Sequence, residues 1–183
     1  MSAAGKDRPR DACRAALLAG FPLVNDHPDV AGVLRDASLL ALLGPALAEP
    51  FVESRISAVC APEARGPILG ALVAVELGAG LVLIRKDDRN HPGADRRVAS
   101  EPTWRGVPER FQARSWDLAP GDRVLVVDDW ITTGSSVRAV RELTEAAGAI
   151  FVGTSVIVNK ADPSTLVELA AAWLVRFDDL VGA

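Results

Sequence analysis

Val124-Leu125-Val126-Val127-Asp128-Asp129-Trp130-Ile131-Thr132-Thr133-Gly134-Ser135-Ser136 is the stretch from which the rest of the chain can be read. Its unbroken apolar start, Val124 to Val127, reads as the end of a strand (Arg123 to Val127) buried on both faces. Two carboxylates stand where that strand emerges. A turn rich in hydroxyls and glycine follows, then a helix from Ser135 to Ala147 that Gly148 stops. Working outward, Ile56 to Ala61 is a strand ended by Pro62, and Gly66 to Leu77 a helix closed by Gly78-Ala79-Gly80. Leu81 to Arg85, Ile150 to Val158 and Trp173 to Phe177 are further strands, with a helix at Ser164 to Ala172 after Pro163. Two more helices are expected at Asp11 to Leu18 and Leu39 to Glu49. Strands alternating with helices predict an α/β domain built on a parallel sheet covered on both faces. Between Lys86 and Leu118 the pattern lapses into charge, His91-Pro92-Gly93, Pro102 and Pro108. A loop that long is expected to be a functional lid, over about 87–116.

With 183 residues, 49% of them hydrophobic, the chain suits one domain over 1–183, and no linker or repeat divides it. Twenty-four acidic against 20 basic residues give a net charge of -4, which argues against a nucleic-acid partner held by a broad basic surface. Cys13 and Cys60 have neither metal-knuckle nor redox spacing, which fits a reducing compartment. Met1 to Arg10 is polar and unlike a secretory leader, and the greasiest run, Ile68 to Ile84, is broken by Glu76, Gly78 and Gly80. A soluble, cytoplasmic protein with no membrane partner is expected. Lys6, Lys86 and Lys160 are the only lysines, and His27 and His91 lie in loops without metal spacing, so no role is assigned to either histidine.

The segment from Asp128 to Ser136 has its own chemistry. Ligands of open α/β sheets gather at the carboxyl ends of strands. Free amides at the start of the next helix, with the Thr132, Thr133, Ser135 and Ser136 hydroxyls, make an anion cradle, and Gly134 admits a phosphate close to the backbone. Adjacent acids would repel that phosphate unless they served another group, and ribose hydroxyls or a bound Mg²⁺ are the natural candidates. An ordinary helix cap at Thr133 or Ser135 would explain part of the pattern but not all of it. A P-loop is excluded because no lysine follows the glycine turn.

The whole segment resembles the signature with which type I phosphoribosyltransferases bind 5-phosphoribosyl-1-pyrophosphate (PRPP). Glu63-Ala64-Arg65-Gly66-Pro67-Ile68-Leu69-Gly70, Glu76 to Gly80 and Ile84-Arg85-Lys86 are similar to the pyrophosphate loop, helix and next strand of the adenine branch. Gly32-Val33-Leu34-Arg35-Asp36 resembles that branch's base-contacting hood, so the likeness runs from about 20 to 180. It implies a parallel-sheet fold with a small hood (about 20–38 and 160–183), a mobile loop and, by default, a homodimer. The activity implied is Mg²⁺-dependent transfer of the 5-phosphoribosyl group from PRPP to a nitrogenous, purine-like base. Asp128, Asp129 and Arg65 would be the catalytic residues, the acids anchoring the ribose and facing the developing cation. Asp128 and Asp129 with Thr132 to Ser136 would bind PRPP, and Glu63, Ala64, Arg65, Gly66 and Lys86 would hold the pyrophosphate. Mg²⁺ would come with PRPP, touching Asp128 or Asp129 at most.

The departures gather around the base. Where the adenine enzymes carry Glu-Tyr-Gly in the mobile loop, this chain has Thr103-Trp104-Arg105-Gly106, and Glu101 or Glu109 would have to substitute. Leu34 stands at the aromatic stacking position and Pro67 where phenylalanine is usual. Lys160 follows Asn159 as in the 6-oxopurine enzymes, and an ammonium donates to an oxo group but not to an amine. Val33, Leu34, Arg35, Trp104 and Lys160 are therefore the expected base contacts, with Trp104 the stacking residue and Trp130 structural. A PRPP- or nucleotide-binding regulator with little turnover is the alternative.

Overall fold

The computed structural model of the protein describes residues 8–181, so Lys6 lies outside the described residues. Helix α1 (Pro9–Gly20) leads to a two-residue hairpin of β1 (Leu23–Val24) and β2 (His27–Pro28), then to helices α2 (Val30–Arg35) and α3 (Ala37–Ala48). Next come β3 (Ala58–Pro62), α4 (Gly66–Leu77), β4 (Gly80–Lys86), β5 (Arg96–Pro102) and β6 (Pro108–Ala113). The chain continues through β7 (Arg123–Ile131), α5 (Ser135–Ala146), β8 (Ile150–Asn159), α6 (Pro163–Glu168), β9 (Ala171–Arg176) and α7 (Phe177–Val181). Seven strands form one sheet in the order β5-β6-β4-β3-β7-β8-β9. Strands β4, β3, β7, β8 and β9 are parallel, while β6 runs antiparallel to β4 and β5.

Alternation along the central strands fills two cores. Val59, Leu125 and Val127 point to one face, where Leu43, Leu47, Leu69 and Val73 of α3 and α4 cover them. Cys60, Val124 and Val126 point to the other face, against Val137, Val140 and Leu143 of α5. This two-sided burial is why β7 begins as an uninterrupted apolar run. On the hood side, Asp29 and Asp36 cap α2 and α3, each accepting two backbone amides at 2.8–3.0 Å.

Three expectations need correcting. The excursion at 87–116 is no irregular loop, because β5 and β6 make a hairpin that extends the sheet. In β5 the period-two signal rests on Val98 and Ser100 alone, and β6 buries Phe111, Gln112 and Ala113 in a row, while arginines and prolines around them hide both strands. The strand holding the acids does not end at Val127. It runs to Ile131 because Asp128, Trp130 and Ile131 keep their partners Val156, Val158 and Asn159 on β8, although pairing with β3 stops at Val126. The helix expected at Ser164 to Ala172 ends at Glu168, and Ala171 already belongs to β9.

Phe111 is fully buried between the hairpin and α5. Phe111→Ala should cost about 3–5 kcal/mol in urea unfolding, whereas Val107→Ala at the exposed tip should stay within roughly 0.5 kcal/mol. Equal effects would show that the hairpin does not pack as described.

Candidate active site

Beyond Val126 one flank of β7 is free of strand pairing, and the start of α4 fills the gap. A Cβ on Gly66 would lie 3.1 Å from the Val127 carbonyl and 3.2 Å from Asp128 Oδ1, so any larger residue would press β7 back by a few tenths of an ångström. Asp128 Oδ1 accepts from the Asp129 amide (2.9 Å), and Asp129 Oδ1 from the Trp130 amide (3.1 Å). Arg65 Nε donates to Asp129 Oδ2 at 2.5 Å, joining the helix entry to the strand. Burial first, and then the neighbouring Asp129 charge, hold the Asp128 carboxyl well above its ordinary range. The pair is therefore unequal, with Asp129 paired to a guanidinium and the Asp128 carboxyl shifted toward its protonated form.

The following turn has the backbone form expected of an anion cradle. Gly134 has φ of 77°, and a Cβ there would lie 2.8 Å from both Leu169 and Thr165. Helix α5 starts without a side-chain cap at its N-cap residue. Thr133 Oγ1 donates to Ser135 Oγ at 2.9 Å and accepts from the Ser135 amide at a long 3.3 Å. Amides with weak partners at a helix start favour an incoming oxyanion. Arg138, one turn into α5, donates to the Thr133 carbonyl at 2.8 Å, grips Glu168 through two nitrogens and reaches Glu101 at 3.4 Å.

Across the site, the Glu63–Ala64–Arg65 loop joins β3 to α4, and the Glu63–Ala64 peptide is cis. The Glu63 carboxylate is turned away from the loop, accepting from Arg85 and from the Lys86 amide at 3.0–3.1 Å. What the loop offers a ligand is therefore its backbone, Arg65, and a cavity of about 380 Å³ lined by Glu63, Ala64, Arg85, Lys86 and Arg89. Lys86 Nζ is held at 2.5 Å by Glu109 on β6, so this cation, like that of Arg65, rests against a carboxylate of the chain itself.

At the carboxyl ends of β7, β8 and β9 three rings and an ammonium meet. His27 stacks on Trp130 (centroids 5.8 Å apart, planes within 7°), and Phe177 is tilted against both at 6.3 and 5.9 Å. Lys160 Nζ lies 3.9 Å from the Phe177 ring centre. The two hood segments thus come together here. Of the expected base contacts, Lys160 is in the cluster. Val33 is fully buried in the core, Leu34 is half-buried against it, and Arg35 is exposed. Trp104 is 66% exposed at the hairpin tip with the Arg105 guanidinium 4.9 Å from its ring centre, so the expected stacking role has no support in its position. Sequence reading passed over His27, Phe177, Arg85, Arg89 and Arg138, and treated Trp130 as filler. None has a local signal, since each acquires its neighbours only through the topology.

Among the described residues no three carboxylate, imidazole or thiol groups converge as a metal cage. Hard oxygens are present as the Asp128–Asp129 pair, which suits Mg²⁺ arriving as a chelate with most of its ligands supplied by the ligand itself.

A family profile described as a phosphoribosyl transferase domain matches residues 47–175. The chain is 36% identical over 131 residues to an adenine phosphoribosyltransferase of Nitrosococcus oceani, covering 72% of this chain and 75% of that protein. It is 38% identical over 150 residues to the enzyme of that name from Streptomyces clavuligerus, covering 78% and 83%. The crystal structure of adenine phosphoribosyltransferase from Rhodothermus marinus superimposes with a TM-score of 0.74 at 28% identity, over 90% of this chain and 98% of that one.

The raised Asp128 carboxyl has a stability consequence. A folded-state pKa above the unfolded value near 3.8 means that the native state loses stability as pH rises through the window between the two. Asp128→Asn should therefore raise Tm at neutral pH by a few degrees, ~1 kcal/mol being worth about 2–4 °C at this size. The gain should shrink toward pH 4. A Tm difference that is flat with pH would mean that folding does not raise the Asp128 pKa.

Proposed function

Because the chain belongs to the phosphoribosyl transferase domain family, we propose that it transfers the 5-phosphoribosyl group of PRPP to a purine base, giving a nucleotide and pyrophosphate. The observation that carries this is the meeting of three subsites at the carboxyl ends of the central strands β3 and β7. The paired acids of β7, the glycine turn opening α5, and the Arg65 loop entering α4 stand where ribose, 5-phosphate and pyrophosphate would lie.

The reaction needs no enzyme nucleophile. A ring nitrogen of the base attacks ribose C1 while the C1–O bond to pyrophosphate breaks, through a transition state with positive charge on the ring. Asp129, once Arg65 turns to the pyrophosphate, faces that charge, and Asp128 holds a ribose hydroxyl. Arg65, Lys86 and the neighbouring Arg85 and Arg89 receive the leaving anion, for which a guanidinium offers two parallel donors. Mg²⁺, carried by PRPP against Asp128 or Asp129, would neutralise part of the pyrophosphate charge. The hairpin of β5 and β6, holding Lys86 through Glu109, is the element suited to cover the site and exclude water.

Adenine is the acceptor named for the relatives. Lys160 at the ring cluster brings a donor that an amine cannot use, which makes a 6-oxopurine the competing acceptor. The enzymatic name shared by the relatives favours turnover over a regulatory role. A cytoplasmic setting is supported by the free, buried Cys13 and Cys60. Among the described residues, no helix is long and apolar enough to cross a membrane.

A homodimer is supported by α4. Leu69 and Val73 are buried, yet Ile68 (49% exposed) and Val75 (81%) carry a second apolar stripe, with Leu81 and Leu83 of β4 also exposed. A helix apolar on all sides belongs in an interior. β4 pairs with β6 only at Arg85 and Lys86, leaving Gly80 to Ile84 an open edge beside that stripe. We assign this face to a second copy of the chain.

Pyrophosphate release from PRPP and Mg²⁺ should occur with adenine or hypoxanthine in a panel that includes orotate. Absence of release with every base would refute the enzymatic reading. Lys160→Ala should lower kcat/KM about tenfold more for hypoxanthine than for adenine, the worth of one charge-assisted hydrogen bond; equal losses would remove its role. Val75→Glu should convert a dimer to a monomer in sedimentation while leaving Tm within a few degrees. A wild type that sediments as a monomer would rule out the α4 face.

A further inference from the structure

The ring cluster carries an inference that rests on the proposed phosphoribosyl transfer and extends it to the acceptor. A base joined to ribose C1 must lie beside Asp128 and Asp129, at the carboxyl ends of the parallel strands, and the flat surface available there is the indole of Trp130. That surface is already taken. The His27 imidazole lies over it with planes within 7° and centroids 5.8 Å apart, and Phe177 closes the neighbouring side at 5.9 Å. A heterocycle placed between two stacked rings needs roughly 7 Å between their planes, twice the carbon contact distance of about 3.5 Å. The cluster as it stands has no such slot, so one ring must leave.

The backbones decide which. Trp130 belongs to the long β7 and keeps its register with Val158 of β8. His27 sits on a hairpin of two residues per strand, whose turn is made by Asn25 and Asp26 at φ of 51° and 60°. Two-stranded hairpins this short are marginal on their own. The imidazole is also exposed, and among the described residues no side-chain hydrogen bond anchors it. Lys160 stands 3.9 Å from the Phe177 ring and stays in place for an acceptor atom when the imidazole departs.

We propose that His27 is a placeholder for the acceptor: it occupies the stacking face of Trp130 and is displaced by the purine ring, so that it sets acceptor affinity without contacting PRPP. The purine gains the indole stack that the imidazole gives up, and the net affinity is lowered by the worth of the lost ring pair.

The test compares His27→Ala and His27→Phe with the wild type, using adenine and hypoxanthine as acceptors. Removing the placeholder should lower the acceptor KM about three- to tenfold, the range expected for one ring–ring stack, while KM for PRPP stays within about twofold. His27→Phe keeps a flat ring on the indole and should hold the acceptor KM at or above the wild-type value. A higher acceptor KM in His27→Ala would overturn the proposal, because it would make His27 a direct contact. Unchanged acceptor KM in both variants, or a parallel shift in the PRPP KM, would overturn it too. If the wild type turns over neither acceptor, calorimetry with adenosine 5′-monophosphate decides. Tighter binding by His27→Ala than by wild type supports the placeholder although the transfer reading has failed, and equal, weaker or absent binding overturns the placeholder as well.

Discussion

Two like charges forced side by side at the buried end of a central strand set the terms for everything around them. Asp128 and Asp129 cannot both be ionised there at low cost, and the surrounding chain answers by separating their states. Arg65 pairs with one, and burial raises the pKa of the other. Helix α4 begins with a glycine that lets that arrangement close without strain, and the same helix entry forms the loop proposed to face the leaving group. The site is thus built from a conflict that folding tolerates because binding can resolve it. Sites of this kind trade stability for chemistry.

The opposing halves of the site are held differently. On the sugar side, the glycine turn is fixed by packing on Leu169 and Thr165 and by Arg138, whose guanidinium spans Thr133 and Glu168 and reaches Glu101 on the hairpin. On the side proposed for the acceptor, Trp130 stands on β7, and the other walls come from a hairpin of two residues per strand, a five-residue helix and the residue after a strand. In the proposed reaction, rigid scaffold would meet the sugar phosphate, and mostly short, lightly anchored pieces would meet the acceptor.

The fold was legible wherever one segment carried its own pattern. Val124 to Val127 with the turn and α5 behind it, and Gly66 to Leu77 between Arg65 and Gly78, announce strand, cradle and helix without outside help. The hairpin of β5 and β6 escaped because few of its residues are buried, Ser100 and Gln112 among them are polar, and arginines, glutamates and prolines make up most of the rest. Of the ring cluster only Lys160 was legible in the sequence; its partners His27, Trp130 and Phe177 escaped for another reason. His27, Trp130, Lys160 and Phe177 come from four segments, and only the sheet order β7-β8-β9 and the folding of the hood bring them together. Val33 and Leu34, which do form a contiguous signal, were drawn into the core instead.

The cations that await an anion, Arg65 and Lys86, are already neutralised by Asp129 and Glu109. A single inorganic phosphate or a chloride ion would have to break a short ion pair and repay it with one contact. A ligand that delivers two phosphoryl groups and a sugar together replaces both pairs in one event. Internal carboxylates thus act as a threshold: in a cell crowded with small anions, they reserve the site for ligands with enough simultaneous contacts to outbid them.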